Sequence, residues 1–374
     1  MTIPFIGLKK QYNELRTEIL DATDIVLRSG NLMNGNSTAE FEHWLAKKNR
    51  VNHAVTCHSG THALEIMAAY YVKSLNHVPR VLIPTMTYAA TANAFMREGW
   101  EVTFIDCDSQ GIMNLSKISG VVDFDLAVIV GLYGASIYDL IDMEWRYRFK
   151  NETWDLTPLV VEDAAQHWLS HNCDRIGTSA ISFDPTKNLA SYGNGGAVLT
   201  SDPNLAEYAR GWRDNAKPAH DMVATNSRMS EVDCAQMLVK TRHIDRWQER
   251  RRSIARYWID RFRDVESMRT LITDTNIRDH GLQKFVIEVD SRDTLMQQLS
   301  LRKIETKIHY RYPLHEIGVY RDQCGGPDML AAASGLARRC LSLPFYPELT
   351  DLEVEYIADR VVECVDTNRA QVLV

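Results

Sequence analysis

Residues 181–200 read ISFDPTKNLASYGNGGAVLT: an apolar run, a lysine, a glycine-rich turn and a second apolar run. A lysine at such a turn is either an ordinary solvated side chain or an amine placed to form a Schiff base with a carbonyl compound. Residues at the ends of other apolar runs help to decide. Asp163 closes PLVVED, 24 residues before Lys187. Gly60 and Thr61 follow HAVTCHS and open a helical segment, where backbone N–H groups and a hydroxyl suit an anion. Tyr88 comes just after VLIPTM, and Ser182 precedes the lysine. Each signal alone has a plainer reading. An aspartate at a strand end usually caps or turns the chain, SGT is a common helix start, Tyr88 would be core, and GNGG suits a hairpin. Together they supply what pyridoxal phosphate chemistry requires. Those requirements are an amine for the Schiff base, a carboxylate against the pyridine nitrogen, a cradle for a phosphate dianion and a flat surface against the ring.

Such residues need strand ends to hold them. Short β-rich runs recur at 80–84, 101–106, 125–134, 158–164, 179–184 and 195–201. Several are apolar throughout, which suits strands buried on both faces. Helical composition lies between them at 61–75 and 87–99. The alternation predicts an α/β domain with a mostly parallel sheet, whose ligand sits at the carboxyl ends of the strands. After about residue 230 the texture changes. Residues 230–265 predict one long amphipathic helix rich in arginine, and a smaller α+β domain follows. The expected division is a large domain over 1–245 and a small one over 246–374. The arginines are read as a solvated helix face rather than a nucleic-acid surface.

The 374 residues allow two domains and a large core. A formal net charge of −7 argues against a nucleic-acid binder working through a broad basic face. The seven cysteines form no C-x-x-C pair and read as reduced thiols. Cys57 and His58 have no second pair at ligand spacing, so no metal is expected. The N-terminus lacks a signal-peptide pattern, and no apolar run approaches the ~18 residues of a membrane span. A cytoplasmic protein without a membrane partner is expected.

The ordered blocks resemble the DegT/DnrJ/EryC1/StrS family of sugar aminotransferases, members of the fold-type I, aspartate aminotransferase-like pyridoxal phosphate enzymes. The likeness runs almost end to end: 27–64 with SGTHAL, 81–108, LYG at 132–134 with Asp139, VVEDAAQ at 160–166, 182–200, 226–240, IHYRYPLH at 308–315 and 341–357. It implies a seven-stranded type of sheet between helices, with pyridoxal 5'-phosphate as cofactor. By this resemblance Lys187 forms the Schiff base, Asp163 pairs with the pyridine nitrogen and Gln166 approaches the ring hydroxyl. Gly60, Thr61 and Ser182 hold the phosphate, and Tyr88 stacks on the ring. Asn226 reaches the cofactor phosphate of a second subunit, which implies a homodimer with shared active sites. Tyr310 and His315 either meet the substrate or pack between domains.

The implied reaction moves an amino group from L-glutamate to a keto-sugar linked to a nucleotide diphosphate. The alternatives are a non-nucleotide ketone such as a keto-inositol, or a non-catalytic cofactor-binding regulator. Three departures concern the substrate. Many members read AQAHG where this chain reads AQHWLS, which places Trp168 near the expected cofactor. Asn194 stands where glutamate is frequent, and Gly131 stands where histidine is common.

Overall fold

The computed structural model describes residues 2–118, 124–137, 159–170, 177–323 and 330–372. Asp139, Cys173 and Cys324 lie outside the described residues. The chain begins with helices α1 (Leu8–Ser29) and α2 (Asn36–Lys48), strand β1 (His53–Cys57) and helix α3 (Gly60–Val72). Next come β2 (Arg80–Pro84), α4 (Ala89–Arg97), β3 (Glu101–Ile105), β4 (Leu126–Val130), β5 (Leu159–Asp163), β6 (Thr178–Ser182) and β7 (Gly196–Thr200). The remainder is α5 (Pro203–Trp212), α6 (Glu231–Thr241), α7 (Ile244–Phe262), β8 (Met268–Thr270), β9 (Phe285–Val289), α8 (Arg292–Leu301), α9 (Ala331–Arg339), β10 (Cys340–Leu343) and α10 (Asp351–Val372).

The first seven strands form one sheet in the order β1-β7-β6-β5-β4-β2-β3. The pairs from β6 through β5, β4 and β2 to β3 are parallel, and β7 runs antiparallel to both of its neighbours. The apolar runs in the sequence are explained by burial on both faces. Val81 and Ile83 of β2 enter one core cluster with Val128, Val130, Val161 and Val198. Leu82, Ala127 and Ile129 point the other way into a second cluster. Each buried valine, leucine or isoleucine among them contributes roughly 1.5–3 kcal/mol, and the period of two fixes the register.

A three-stranded antiparallel sheet, β10-β9-β8, forms the second unit. Trp258 of α7 sits at its centre, edge-on to Phe285 at 5.0 Å and beside Phe345 at 5.8 Å. The N-terminal segment joins this unit: Ile3 lies in its core and its amide donates to Lys303 O at 2.8 Å. Residues 2–6 thus belong with the small unit, and α1 carries the chain on to the large one through Leu15 and Ile19. The division expected at 245/246 falls within the first turn of α7. Its Ile244 and Trp247 pack in the large unit, while Ile254 onward packs in the small one.

The single helix expected over 230–265 is two helices, α6 and α7. Tight i→i−3 bonds from the Arg242 and His243 amides to Val239 O and Lys240 O end α6. Amphipathic periodicity does not report such a break, because the apolar stripe resumes after it. Among the described residues no helix is long and apolar enough to cross a membrane. The five described cysteines are buried and unpaired.

Helix α2 begins at Gly35 without a side-chain cap of its own. Glu231, the first residue of α6, supplies one from a distance. Its carboxylate accepts the amides of Gly35 (2.9 Å), Ser37 and Thr38 (3.1 Å) and the Thr38 hydroxyl (2.6 Å). Burial alone would raise the Glu231 pKa, but these hydrogen bonds outweigh it and lower it. Glu231→Gln is therefore expected to cost about 1–3 kcal/mol, read as a lower melting temperature. The depressed carboxyl stabilises the fold above the unfolded value near ~4.3 and loses that contribution as pH falls through its own lower pKa. The gap between wild type and Glu231→Gln should close in acid; a constant gap would refute the assignment.

Candidate active site

The parallel strands bring their carboxyl ends to one edge of the sheet, and a cavity of about 360 Å3 opens there. This size suits a small-molecule site. Its lining includes Gly60, Thr61, Tyr88, Asp163, Gln166, Ser182, Lys187 and Tyr310. Residues up to 250 positions apart in sequence therefore share one wall.

Lys187 lies on the loop between β6 and β7, close to where that loop leaves the sheet. The Lys187 amide donates to Asp184 O at 2.8 Å, closing a turn. The loop is pinned from below. Asn188 Nδ2 donates to Gly281 O at 2.8 Å, and Lys240 Nζ donates to Ala190 O at 2.6 Å. Among the described residues the Lys187 amine has no hydrogen bond or ion pair, although it lines the cavity. Burial lowers its pKa, opposed by the nearby carboxylates of Asp163 and Asp184. A buried amine without a hydrogen-bonding partner is costly, and a lowered lysine pKa marks a nucleophile or base.

Asp163 ends β5, opposite Val130 of β4 and Ala180 of β6. It is 7% exposed and held on both oxygens. Thr91 Oγ1 donates to Oδ2 at 2.7 Å, and the Ala165 amide donates to Oδ1 at 3.1 Å. Thr91 sits on α4, three residues beyond Tyr88, and nothing in the sequence singled it out. Gln166 is also fixed: its Oε1 accepts the Tyr133 amide at 2.7 Å, and its Nε2 donates to Tyr310 Oη at 3.1 Å. Tyr310 in turn lies 5.7 Å from the Tyr88 ring, tilted by 33°. Tyr88 itself is well exposed at the cavity mouth, so it is not the core residue that the plainer reading allowed.

The anion cradle is the start of α3. Ser59 caps it by accepting the His62 amide at 3.2 Å. That leaves the Gly60 and Thr61 amides at the open end beside the cavity. Strand β7 comes so close that a Cβ on Gly196 would lie 2.3 Å from Ser59 C and 2.5 Å from Gly60 N. Both are backbone atoms, so no side-chain rotation relieves the clash. Gly196→Ala is expected to displace the first turn of α3. It should cost about 1–3 kcal/mol and weaken pyridoxal phosphate binding measured by titration. Unchanged affinity together with unchanged melting temperature would contradict this placement.

The other sequence candidates lie elsewhere. His315 does not line the cavity. It is a packing residue: its Nδ1 lies 2.7 Å from Thr85 Oγ1 and its Nε2 3.3 Å from Ser334 Oγ. Trp168 is likewise turned into the core, edge-on to Trp44 at 6.4 Å and to Phe183 at 6.2 Å. Trp168 therefore does not line the cavity. Asn226 is exposed, lies outside this chain's cavity, and accepts from Arg228 Nε at 3.3 Å.

Gly131 has a local reason. A Cβ there would lie 2.2 Å from His167 Nδ1. The imidazole of His167 fills the space that a side chain at 131 would take, and its Nε2 lies 2.7 Å from Glu162 Oε1. Asn194 does line the cavity, 3.4 Å from His58 Nε2 through its Nδ2. Sequence reasoning missed Asp184, Lys284 and His309 among the titratable residues that line the cavity. Burial and the charges of Lys284, Lys307 and Lys187 push His309 down to about 2, so it is neutral. Among the described residues there is no cluster of three metal-ligating side chains.

The residues fit pyridoxal phosphate. The buried amine of Lys187 lacks a hydrogen-bonding partner, a doubly anchored carboxylate shares its cavity, and a helix N-terminus is open at one end. A family model described as the DegT/DnrJ/EryC1/StrS aminotransferase family matches residues 13–362. A dTDP-3-amino-3,4,6-trideoxy-alpha-D-glucose transaminase from Streptomyces venezuelae is 31% identical, covering 96% of each chain. A protein named pleiotropic regulatory protein from Geobacillus stearothermophilus is also 31% identical, over 97% of this chain and 98% of its own. Among solved structures, S. venezuelae DesV in complex with a ketimine intermediate superposes with a TM-score of 0.87. It is 30% identical and covers 97% of this chain and 98% of its own.

Proposed function

Because the chain belongs to the DegT/DnrJ/EryC1/StrS aminotransferase family, we propose that it moves an amino group from L-glutamate to a keto-sugar carried on a nucleotide diphosphate. Pyridoxal 5'-phosphate is the cofactor in this reading. The observation that carries it is the meeting of Lys187, Asp163 and the α3 N-terminus in one cavity. When bound, the cofactor supplies an electrophilic carbon for an amine and an aromatic sink for the electrons of a breaking C–H bond.

The chain's own residues do the rest. The Lys187 amine, its pKa lowered by burial, would hold the cofactor through a Schiff base and would carry the proton of the donor α-carbon. Asp163, held by Thr91 and the Ala165 amide, keeps a proton on the pyridine nitrogen. The Gly60 and Thr61 amides and the Ser182 hydroxyl bind the phosphate. Gln166, fixed by the Tyr133 amide, faces the ring hydroxyl, and Tyr88 covers the ring and excludes water. Asn226 serves the phosphate site of a second copy. Its exposure outside its own cavity supports a homodimer with shared sites. A cytoplasmic location belongs to the same reading and is supported by the buried free thiols.

The sugar substrate follows the printed name of the S. venezuelae relative. The printed name of the Geobacillus relative favours a second reading, a regulator that binds the cofactor without turnover. One spectrum separates the two. Visible absorption of the protein with pyridoxal phosphate is expected to bleach on adding L-glutamate. A band that persists with glutamate and other amino acids would support the regulator. Keto-sugar nucleotides and keto-inositols, offered to the bleached enzyme, then identify the acceptor by which of them restores the band.

A further inference from the structure

Lys284 immediately precedes β9 and is 5% exposed. Its amide donates to Tyr133 O at 3.0 Å, and the preceding Gln283 donates Nε2 to Thr186 O at 2.8 Å. The strand entrance is thereby fixed against both the Lys187 loop and the Gln166 anchor. Lys284 lines the main cavity and also, together with Lys187, a smaller one of about 40 Å3. Among the described residues its amine has no hydrogen bond or ion pair. Burial, then the charges of Lys187 and Arg251, hold its pKa well below that of an ordinary lysine, and Asp184 only partly opposes them. The cavity therefore contains a second buried amine that the mechanism above does not use.

Any amino-acid donor carries an α-carboxylate, and a carboxylate taken into a buried site needs a cation or several donors. Among the described residues lining the main cavity, Lys187 and Lys284 are the lysine and arginine side chains. Lys187 is committed to the reacting carbon, and His309 is neutral. We propose that Lys284 binds the carboxylate of the amino donor, an inference that rests on the aminotransferase reading above. An arriving carboxylate supplies the negative partner that the buried amine lacks, so donor binding and protonation of Lys284 go together. A neutral amine donor would gain nothing from this contact.

The test uses protein loaded with pyridoxal phosphate and two probes that cannot transfer an amine: succinate and its uncharged analogue succinamide. Calorimetry gives the dissociation constant of each for wild type, Lys284→Met and Lys284→Arg. Wild type is expected to prefer succinate. Lys284→Met should weaken succinate at least about tenfold, the loss of one charged hydrogen bond, and leave succinamide unchanged. Lys284→Arg should keep most of the preference. Equal succinate affinity in wild type and Lys284→Met would overturn the proposal, as would equal loss of both probes.

Half-saturation of the bleaching reaction separates the donor carboxylate from one on the sugar. The concentration of L-glutamate that half-saturates bleaching should rise in Lys284→Met while the concentration of keto-sugar that half-saturates recovery of the band stays fixed, and the reverse pattern would overturn the assignment to the donor. Absence of bleaching in wild type would instead contradict the functional reading, while the succinate comparison would still report on Lys284. Unchanged cofactor absorbance and melting temperature in the variants confirm that the fold is intact.

Discussion

Lys187→Ala is expected to fold, to bind pyridoxal phosphate reversibly, and to lose both the visible absorption of the lysine-bound cofactor and turnover. The rate should fall by roughly a thousandfold or more, because in the proposed function one side chain supplies both the covalent attachment and the proton transfer. The fold should not suffer. The amine has no hydrogen bond or ion pair to lose among the described residues, and the loop around it is held by Asn188 and Lys240 instead. Removing a buried amine that burial has already driven toward its neutral form leaves the melting temperature unchanged or higher. Retained turnover would refute the assignment. A large fall in melting temperature would show that Lys187 is structural.

Asp163→Asn should spare the fold and impair the chemistry. Asparagine keeps the shape, and its carbonyl oxygen can still accept the Ala165 amide that Asp163 Oδ1 takes at 3.1 Å. Its amide nitrogen then meets Thr91 Oγ1, whose hydroxyl rotates from donating to accepting. What disappears is the negative charge that, in the proposed function, would hold a proton on the ring nitrogen. A charged hydrogen bond is worth about 1.5–3 kcal/mol, so turnover should drop roughly tenfold to a hundredfold or more. The donor half-reaction, followed by bleaching at saturating L-glutamate, is the measurement. Near-wild-type bleaching would mean that Asp163 is only the terminal turn of β5. Thr91→Val should give a smaller effect in the same direction, since it removes one of the two anchors of the carboxylate and leaves the charge in place.

Much of the fold could be read from the chain because its signals are local. The strands found at 80–84, 101–105, 126–130, 159–163, 178–182 and 196–200 coincide with the β-rich runs. An apolar pentapeptide bounded by turn residues has few other ways to satisfy its backbone within a core. The break between α6 and α7 was not readable, because hydrophobic periodicity carries through a single tightened turn. The helix cap that Glu231 gives to α2 was also invisible. It depends on two segments nearly 200 residues apart meeting, and a glutamate at a helix start has an adequate local explanation.

The candidate site divides along the same line. The sequence by itself determined the residue types that the proposed chemistry would use: Lys187, Asp163, and the Gly60–Thr61 helix start, which the fold gathers in one cavity. Each sits at the end of an apolar run, and parallel strands bring such ends to one edge. Tertiary structure alone decided which neighbours act with them. His315 and Trp168 were reasonable candidates until packing turned them toward Thr85 and toward Trp44 and Phe183. Gly131 read as a missing histidine until His167 was found in the space it leaves. Thr91 and Lys284 carried no signal at all. A threonine on a helix and a lysine beside a strand are ordinary residues until the fold buries one against a carboxylate and the other against a second amine. Sequence records what a side chain can do. Burial and the groups around it decide whether it does so, and those are set by contacts between segments far apart in the chain.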